Sequence, residues 1–286
     1  MRLVTFCIPG APAQAGVVTP EQRVFSLEPA GFADTLSVIR GGWTARAVID
    51  AYLKRANPSA SIALESAVLL APVPKPPKVI CVGLNYRDHA EESKMEIPST
   101  PTIFSKFSSA ITGPGAPVIL PANSEKPDYE AEFAIVIGKG GRHIPSAYWH
   151  RHVYGYMCLN DVSARDFQMA TSQWLMGKTF DTFAPTGPWL TTADEIEDPH
   201  NLDISMTING EVLQKSNTSN LIFGVPQLVE YLSSVFTLEP GDIISTGTPG
   251  GVGFARKPPR WLKPGDEMEV TIAGLGTLKN PVVAES

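Results

Sequence analysis

Short apolar runs broken by Gly, Pro, Asn and Asp recur along most of the chain. They predict strands over residues 1–8, 79–82, 117–120, 133–137, 203–208, 242–245 and 267–272. Asn209-Gly210 directly follows one of these runs, a pair that favours a tight hairpin turn. Pro240-Gly-Asp242 and Pro264-Gly-Asp266 each launch another strand, a repeated device that suits rolled antiparallel sheets. Helical spacing is confined to a few places. Val38, Ile39, Val48, Ile49, Tyr52 and Leu53 predict a helix within 33–56, interrupted at Gly41-Gly42. Further helices are expected from 148–152 onward and over 225–236. The stretch 71–77, Ala-Pro-Val-Pro-Lys-Pro-Pro, reads as a stiff linker. It divides a small N-terminal α/β unit, 1–72, from a main domain, 73–286. The fold class expected is α+β and β-dominated, a mixed roll and not a doubly wound sheet.

Composition narrows the function classes. A chain of 286 residues with 43% hydrophobic and 18% charged positions is globular, with length for one large domain or two. A formal net charge of −6 and the lack of a long Lys/Arg run argue against nucleic acid as a partner. The densest basic stretch, Arg256-Lys-Pro-Pro-Arg260-Trp-Leu-Lys263, is a solvated loop first and an anion-attracting rim second. Cys7, Cys81 and Cys158 are far apart and form no Cys-x-x-Cys, so neither a disulfide framework nor a thiolate zinc site is expected. With no secretory apolar region and no run near the roughly 18–20 apolar residues that span a bilayer, a soluble protein of a reducing, cytoplasmic compartment is expected. No membrane partner is foreseen, and the sequon Asn217-Thr-Ser219 is expected to carry no sugar.

The chemistry begins with Glu130 and Glu132 in Asp128-Tyr-Glu-Ala-Glu132. Residues i and i+2 of a strand share a face at roughly 6.5–7 Å, close enough for two carboxylates to reach one cation. The plainer reading is a strand with one solvated face. Asp161, at the end of the apolar run 154–159, could complete a facial oxygen set or simply cap a helix. Three carboxylates without nearby Cys or His select a hard cation, Mg²⁺ or Mn²⁺. His89 and Glu92 stand at i and i+3, a spacing at which a carboxylate can orient an imidazole as a general base. An exposed loop histidine is the alternative. Lys178 follows Gly177 as in a phosphate-binding loop, but Ser172 occupies the place of that loop's first glycine. Set among Trp174, Leu175, Met176 and Phe180, it reads as a partly buried cation able to stabilise an enolate or oxyanion. The glycines of Thr246-Gly-Thr-Pro-Gly-Gly-Val-Gly253 would let backbone N–H groups approach an anion, or form a tight turn without one.

These segments together resemble the fumarylacetoacetate hydrolase superfamily. The matching stretches are Val82-Gly-Leu-Asn-Tyr-Arg-Asp-His89, Tyr129-Glu-Ala-Glu-Phe-Ala-Ile-Val-Ile-Gly-Lys139, Asn160-Asp-Val-Ser-Ala-Arg-Asp166, Gly177-Lys-Thr-Phe-Asp181 and Thr246-Gly-Thr-Pro-Gly-Gly-Val-Gly253. Phe104-Ser-Lys-Phe107 and Phe254-Ala-Arg-Lys-Pro-Pro259 look most like the branch called fumarylacetoacetate hydrolase domain-containing protein 2.

The resemblance implies a mixed β-sandwich roll of the family's C-terminal type. It makes Glu130, Glu132 and Asp161 ligands of one Mg²⁺ or Mn²⁺, with no organic cofactor. His89 with Glu92 becomes the water-activating pair and Lys178 the electrostatic stabiliser. Gln168 would hold substrate or water and Thr248 the substrate carboxylate. Smaller relatives have an arginine where this chain has Leu84, and Arg87 is the candidate replacement. Apart from the resemblance, the loop 88–98, rich in charge and closed by a proline, is expected to be a lid that orders on ligand binding. The implied substrate is a 2-oxo or 2,4-dioxo acid, the implied reaction hydrolysis of its carbon–carbon bond, and the implied assembly a homodimer. A decarboxylase, isomerase or lyase of a related oxo acid is the alternative, and a non-catalytic metal or oxo-acid binder a remoter one.

Overall fold

The computed structural model describes Met1–Glu285. Mixed β-sheets dominate, with a few helices between strands. The central ladder runs, edge to edge, through Ile62–Ala63, Arg23–Ser26, Gln14–Val18, Arg2–Cys7, Ala184–Thr192, Val153–Asn160, Ala131–Ile137, Ile243–Ser245, Val79–Gly83 and Thr102–Lys106. A second sheet of five strands contains Glu211–Asn217, Asp203–Ile208, Glu267–Ile272, Gly276–Ala284 and Val118–Leu120. Asn209 and Gly210 take φ of 52° and 82°, closing the hairpin that the sequence predicts at this pair. The two Pro-Gly-Asp turns are built alike. Gly241 and Gly265 have positive φ, while Asp242 and Asp266 accept the N–H groups of Glu239 and Lys263.

Strand Ala131–Ile137 is buried along its whole length, between neighbours on both sides. Its Phe133, Ile135 and Ile137 join a core with Ile204, Met206 and Val270 of the second sheet. Its Ala134 and Val136 join another core with Val38, Ile39 and Ile49 of the helix Thr35–Leu53. A strand covered on two faces has no solvated side for an acidic pair to occupy. Glu130 and Glu132 therefore enter the protein interior.

The same cores show how the N-terminal unit is attached. Arg2–Cys7 pairs antiparallel with Ala184–Thr192, so both expected units contribute strands to one sheet. The helix is capped by Asp34, which accepts Ser37 N–H, and is kinked at Gly42, whose φ of 50° and ψ of −132° are not helical. One expectation needs correction, and one strand was not foreseen. From 148 onward the chain makes only the 3₁₀ turn Ser146–Arg151 and then the strand Val153–Asn160, because ladders on both sides satisfy that backbone. Strand Ala184–Thr192 was hidden by Pro185 and Pro188, residues that ordinarily argue against an interior strand.

Candidate active site

The acid cluster is assembled by strand pairing. Ala131 lies opposite Asn160 in the ladder, and Asp161 N–H donates to the Glu130 carbonyl at 2.9 Å, so the third acid arrives beside the first. One oxygen from each of Glu130, Glu132 and Asp161 lies within 4.8 Å of the others, and all three residues are buried. Asp161 caps no helix; the short helix Arg165–Gln168 begins later.

Three cations sit among these acids. Lys178 Nζ donates to Glu130 Oε2 and Asp161 Oδ2, both at 2.8 Å. Arg165 Nη2 stands 2.6 Å from the other Glu130 oxygen, and Lys106 Nζ donates to Asp161 Oδ1 at 2.5 Å and to the Val162 carbonyl at 3.0 Å. Lys178 reaches this place because Gly177 has no side chain. A Cβ there would lie 2.3 Å from Gln168 N. The Lys178 ammonium also lies 5.0 Å from the centre of the Phe104 ring.

Charge is shared unevenly. Burial alone would raise the pKa of Glu130, but Lys178 and Arg165 outweigh it and hold the carboxyl at about 2. Glu132 is driven the other way, well above the usual carboxylate range, by burial and then by Asp161 and Glu130. It accepts from Ser245 Oγ at 2.5 Å and Gly247 N at 2.9 Å, yet no cation reaches ion-pair distance among the described residues. Burial depresses the Lys178 ammonium less than Asp161 and Glu130 raise it, so it stays charged. A buried all-oxygen set with one uncompensated carboxylate fits a hard divalent cation.

His89 and Glu92 lie on the helix Arg87–Ser93, with Nδ1 and Oε2 3.6 Å apart. That is beyond a good hydrogen bond, and the buried His89 Nδ1 has no hydrogen-bond partner among the described residues. Glu92 Oε2 accepts Gly251 N at 2.9 Å, which ties the helix to the glycine loop. Burial would raise the Glu92 pKa, but His89, the Gly251 N–H and Arg256 hold it low. His89 in turn contributes to holding Glu130 low.

The remaining candidates divide. Gln168 is buried and accepts from Arg165 Nη1 at 2.8 Å. Thr248 Oγ1 donates to the Ala131 carbonyl at 2.9 Å and accepts from Gln214 Nε2 at 2.8 Å, so its hydroxyl is spent on the fold. Arg87 is exposed and donates to the carbonyls of Leu221 and Asn220, which clamps it to that turn. Along 88–98, the helix ends at Ser93 and is followed by the exposed Met95 and Ile97.

Sequence reasoning missed Lys106, Arg165 and Asp128. Lys106 lay inside Phe104-Ser-Lys-Phe107, two residues from Phe104 on a strand, a spacing that puts it on the same strand face as Phe104 but does not reveal Asp161 as its partner. Arg165 was visible only as the fourth residue after Asp161.

Residues 78–283 match the family described as "Fumarylacetoacetate (FAA) hydrolase C-terminal". The chain is 54% identical over 215 residues to "Oxaloacetate tautomerase Fahd2a, mitochondrial" of Rattus norvegicus, covering 75% of this chain and 69% of that one. It superposes along its whole length on a putative HpcE protein from Mycobacterium smegmatis, with TM-score 0.88 and 39% identity. It does so too on maleylpyruvate hydrolase from Sphingobium sp. SYK-6 in complex with manganese(II) ion and pyruvate, with TM-score 0.85 and 33% identity. The expected cytoplasmic location gains nothing from the rat protein, which is named as mitochondrial. No helix among the described residues is long and apolar enough to cross a membrane.

Proposed function

The chain belongs to the fumarylacetoacetate hydrolase family, and on that premise we propose that it is a divalent-metal-dependent enzyme interconverting the keto and enol forms of an oxo acid of the oxaloacetate kind. Glu130, Glu132 and Asp161 would hold Mg²⁺ or Mn²⁺. When bound, such an ion supplies polarisation of a 2-oxo group. The protein's own side chains supply the rest. His89, oriented by Glu92, removes the proton from the carbon next to the oxo group. The electron pair moves onto the oxo oxygen, whose charge Lys178 balances. Protonated His89 returns its proton through solvent to that oxygen, which gives the enol, and the reverse sequence returns the keto form. No water is consumed.

The observation that carries this reading is His89 Nδ1, buried and without a partner, 3.6 Å from a carboxylate. With Nδ1 turned toward Glu92, Nε2 is the ring nitrogen left to accept the carbon proton. The rat relative, named a tautomerase and 54% identical over the matched region, supports this reaction class over hydrolysis.

Hydrolysis of a carbon–carbon bond in a 2,4-dioxo acid, the reaction the family resemblance suggests first, is the second reading. The likeness to a maleylpyruvate hydrolase favours it, and the same groups would serve if His89 activated water instead. Decarboxylation needs the same enolate. A pure binder would have no use for His89, Glu92 and Lys178 beside the acids.

Proton NMR in D₂O with Mn²⁺-free, Mg²⁺-loaded protein separates these. Accelerated exchange of the oxaloacetate methylene protons with its carbons intact supports tautomerisation, whereas carbon dioxide and pyruvate mean decarboxylation. Two acids from an acylpyruvate mean hydrolysis, and no reaction with any of them overturns the enzyme reading. The expected homodimer is tested by light scattering, where a monomer mass would end it.

A further inference from the structure

Beside the acid cluster lies a fourth buried carboxylate that has no place in the proposed cation set. Asp128 is fully buried, on a two-residue ladder in which it faces Ser163. That pairing brings it to the chain segment carrying Arg165. Its Oδ1 accepts the N–H groups of Tyr129 and Gly253, both at 2.8 Å. Its Oδ2 accepts Phe254 N at 3.0 Å and Arg165 Nε at 2.9 Å, and Arg165 Nη2 is 2.8 Å away. The approach is close enough that a Cβ on Gly253 would fall 2.5 Å from Asp128 Oδ1.

Arg165 spends its fork on three partners: Asp128, Glu130 and Gln168. The result is a row of alternating charge, Asp128, Arg165, Glu130, Lys178, Asp161 and Lys106, in which every neighbouring pair is in ionic contact. Within such a row, each charge sets how far its neighbour leans on the next. With Asp128 in place, the guanidinium is held by two carboxylates and Glu130 keeps part of its charge for a cation. Without Asp128, the whole attraction of Arg165 falls on Glu130.

We propose that Asp128 is a positioning residue that, through Arg165, sets the availability of Glu130 to the divalent ion. It also seats the Gly253–Phe254 turn against the same guanidinium. This rests on the reading of Glu130, Glu132 and Asp161 as the cation site.

The test is the dissociation constant for Mn²⁺, read by electron paramagnetic resonance of the free ion on full-length protein, without any assay of turnover. Asp128→Asn is expected to weaken Mn²⁺ binding by roughly tenfold, within the range of coupling between charges in one network. Arg165→Met is expected to tighten it, since Glu130 loses a competing cation. In the Arg165→Met background, adding Asp128→Asn should change the constant less than about twofold, because its route to Glu130 is gone. General damage to the site would weaken binding in every variant and would not produce opposite signs. Should Asp128→Asn not fold alone because it leaves Arg165 under-compensated, the double variant compared with Arg165→Met still carries the test. An equal loosening in both backgrounds, or no change in the first, overturns the proposal. A wild-type protein that binds no Mn²⁺ removes the cation site itself, and the proposal with it.

Discussion

Lys178 Nζ stands 2.8 Å from both Glu130 Oε2 and Asp161 Oδ2, so a buried ammonium bridges two of the three clustered acids. It holds the carboxylates together and leaves Glu132 as the one without a cation. Lys178→Met should lower turnover by about 10²–10³-fold, the usual scale for losing a preorganised electrostatic stabiliser. The acids, no longer bridged, should make the metal-free protein less stable, and added Mn²⁺ should recover part of that loss. Steady-state kinetics and thermal melts with and without metal check both halves.

Glu132 predicts a pH dependence. Its folded pKa lies above the unfolded value of 4.5, so its ionisation costs stability as pH rises from there and levels off above the folded pKa. Glu132→Gln should therefore be more stable than the metal-free wild type at neutral pH. The difference should vanish as pH falls below about 4.5, where both states of the wild type are protonated. Denaturant melts across pH measure it. An advantage for the variant that grows toward acid would contradict the assigned direction.

His89→Ala should lower turnover by roughly 10²–10⁴-fold while Mn²⁺ binding stays near wild type, as expected for a positioned base that is not a ligand. Paired kinetic and metal-binding measurements check this. Loss of metal binding in this variant would move His89 into the ligand set.

Gly177→Ala would place a Cβ 2.3 Å from Gln168 N, and relieving that clash must shift Lys178 away from its acids. A destabilisation of about 1–3 kcal/mol, typical of overpacking, should accompany a fall in activity. A variant with wild-type melting and wild-type turnover would show that the short helices Arg165–Gln168 and Leu175–Lys178 tolerate separation.

Much of this site was legible from local pattern. The two-residue spacing of Glu130 and Glu132, the apolar run leading to Asp161 and the three-residue spacing of His89 and Glu92 are all short-range signals. The family resemblance and the matched stretch 78–283 agree on the family and on the part of the chain it covers. What stayed hidden depends on distant pairing. Lys106 meets Asp161 across 55 positions, and Asp128 meets Arg165 across 37, distances over which spacing says nothing. Spacing also did not reveal the partners of Arg87 and Thr248. Each lies in the right segment, but hydrogen bonds to distant carbonyls claim the side chain. The helix expected from 148 onward gave way to a strand for a similar reason, since two neighbouring ladders outweigh the local tendency.

The central claim is metal-dependent keto–enol interconversion at the acid cluster, and the decay of enol absorbance after dissolving oxaloacetate reads it most directly. The metal-depleted protein should leave the decay at the rate of buffer alone. Restoring Mn²⁺ should accelerate it beyond a matched protein-free Mn²⁺ control, and His89→Ala with Mn²⁺ should fall back close to that control. Equal acceleration by metal-depleted wild type, or by His89→Ala, would contradict the account.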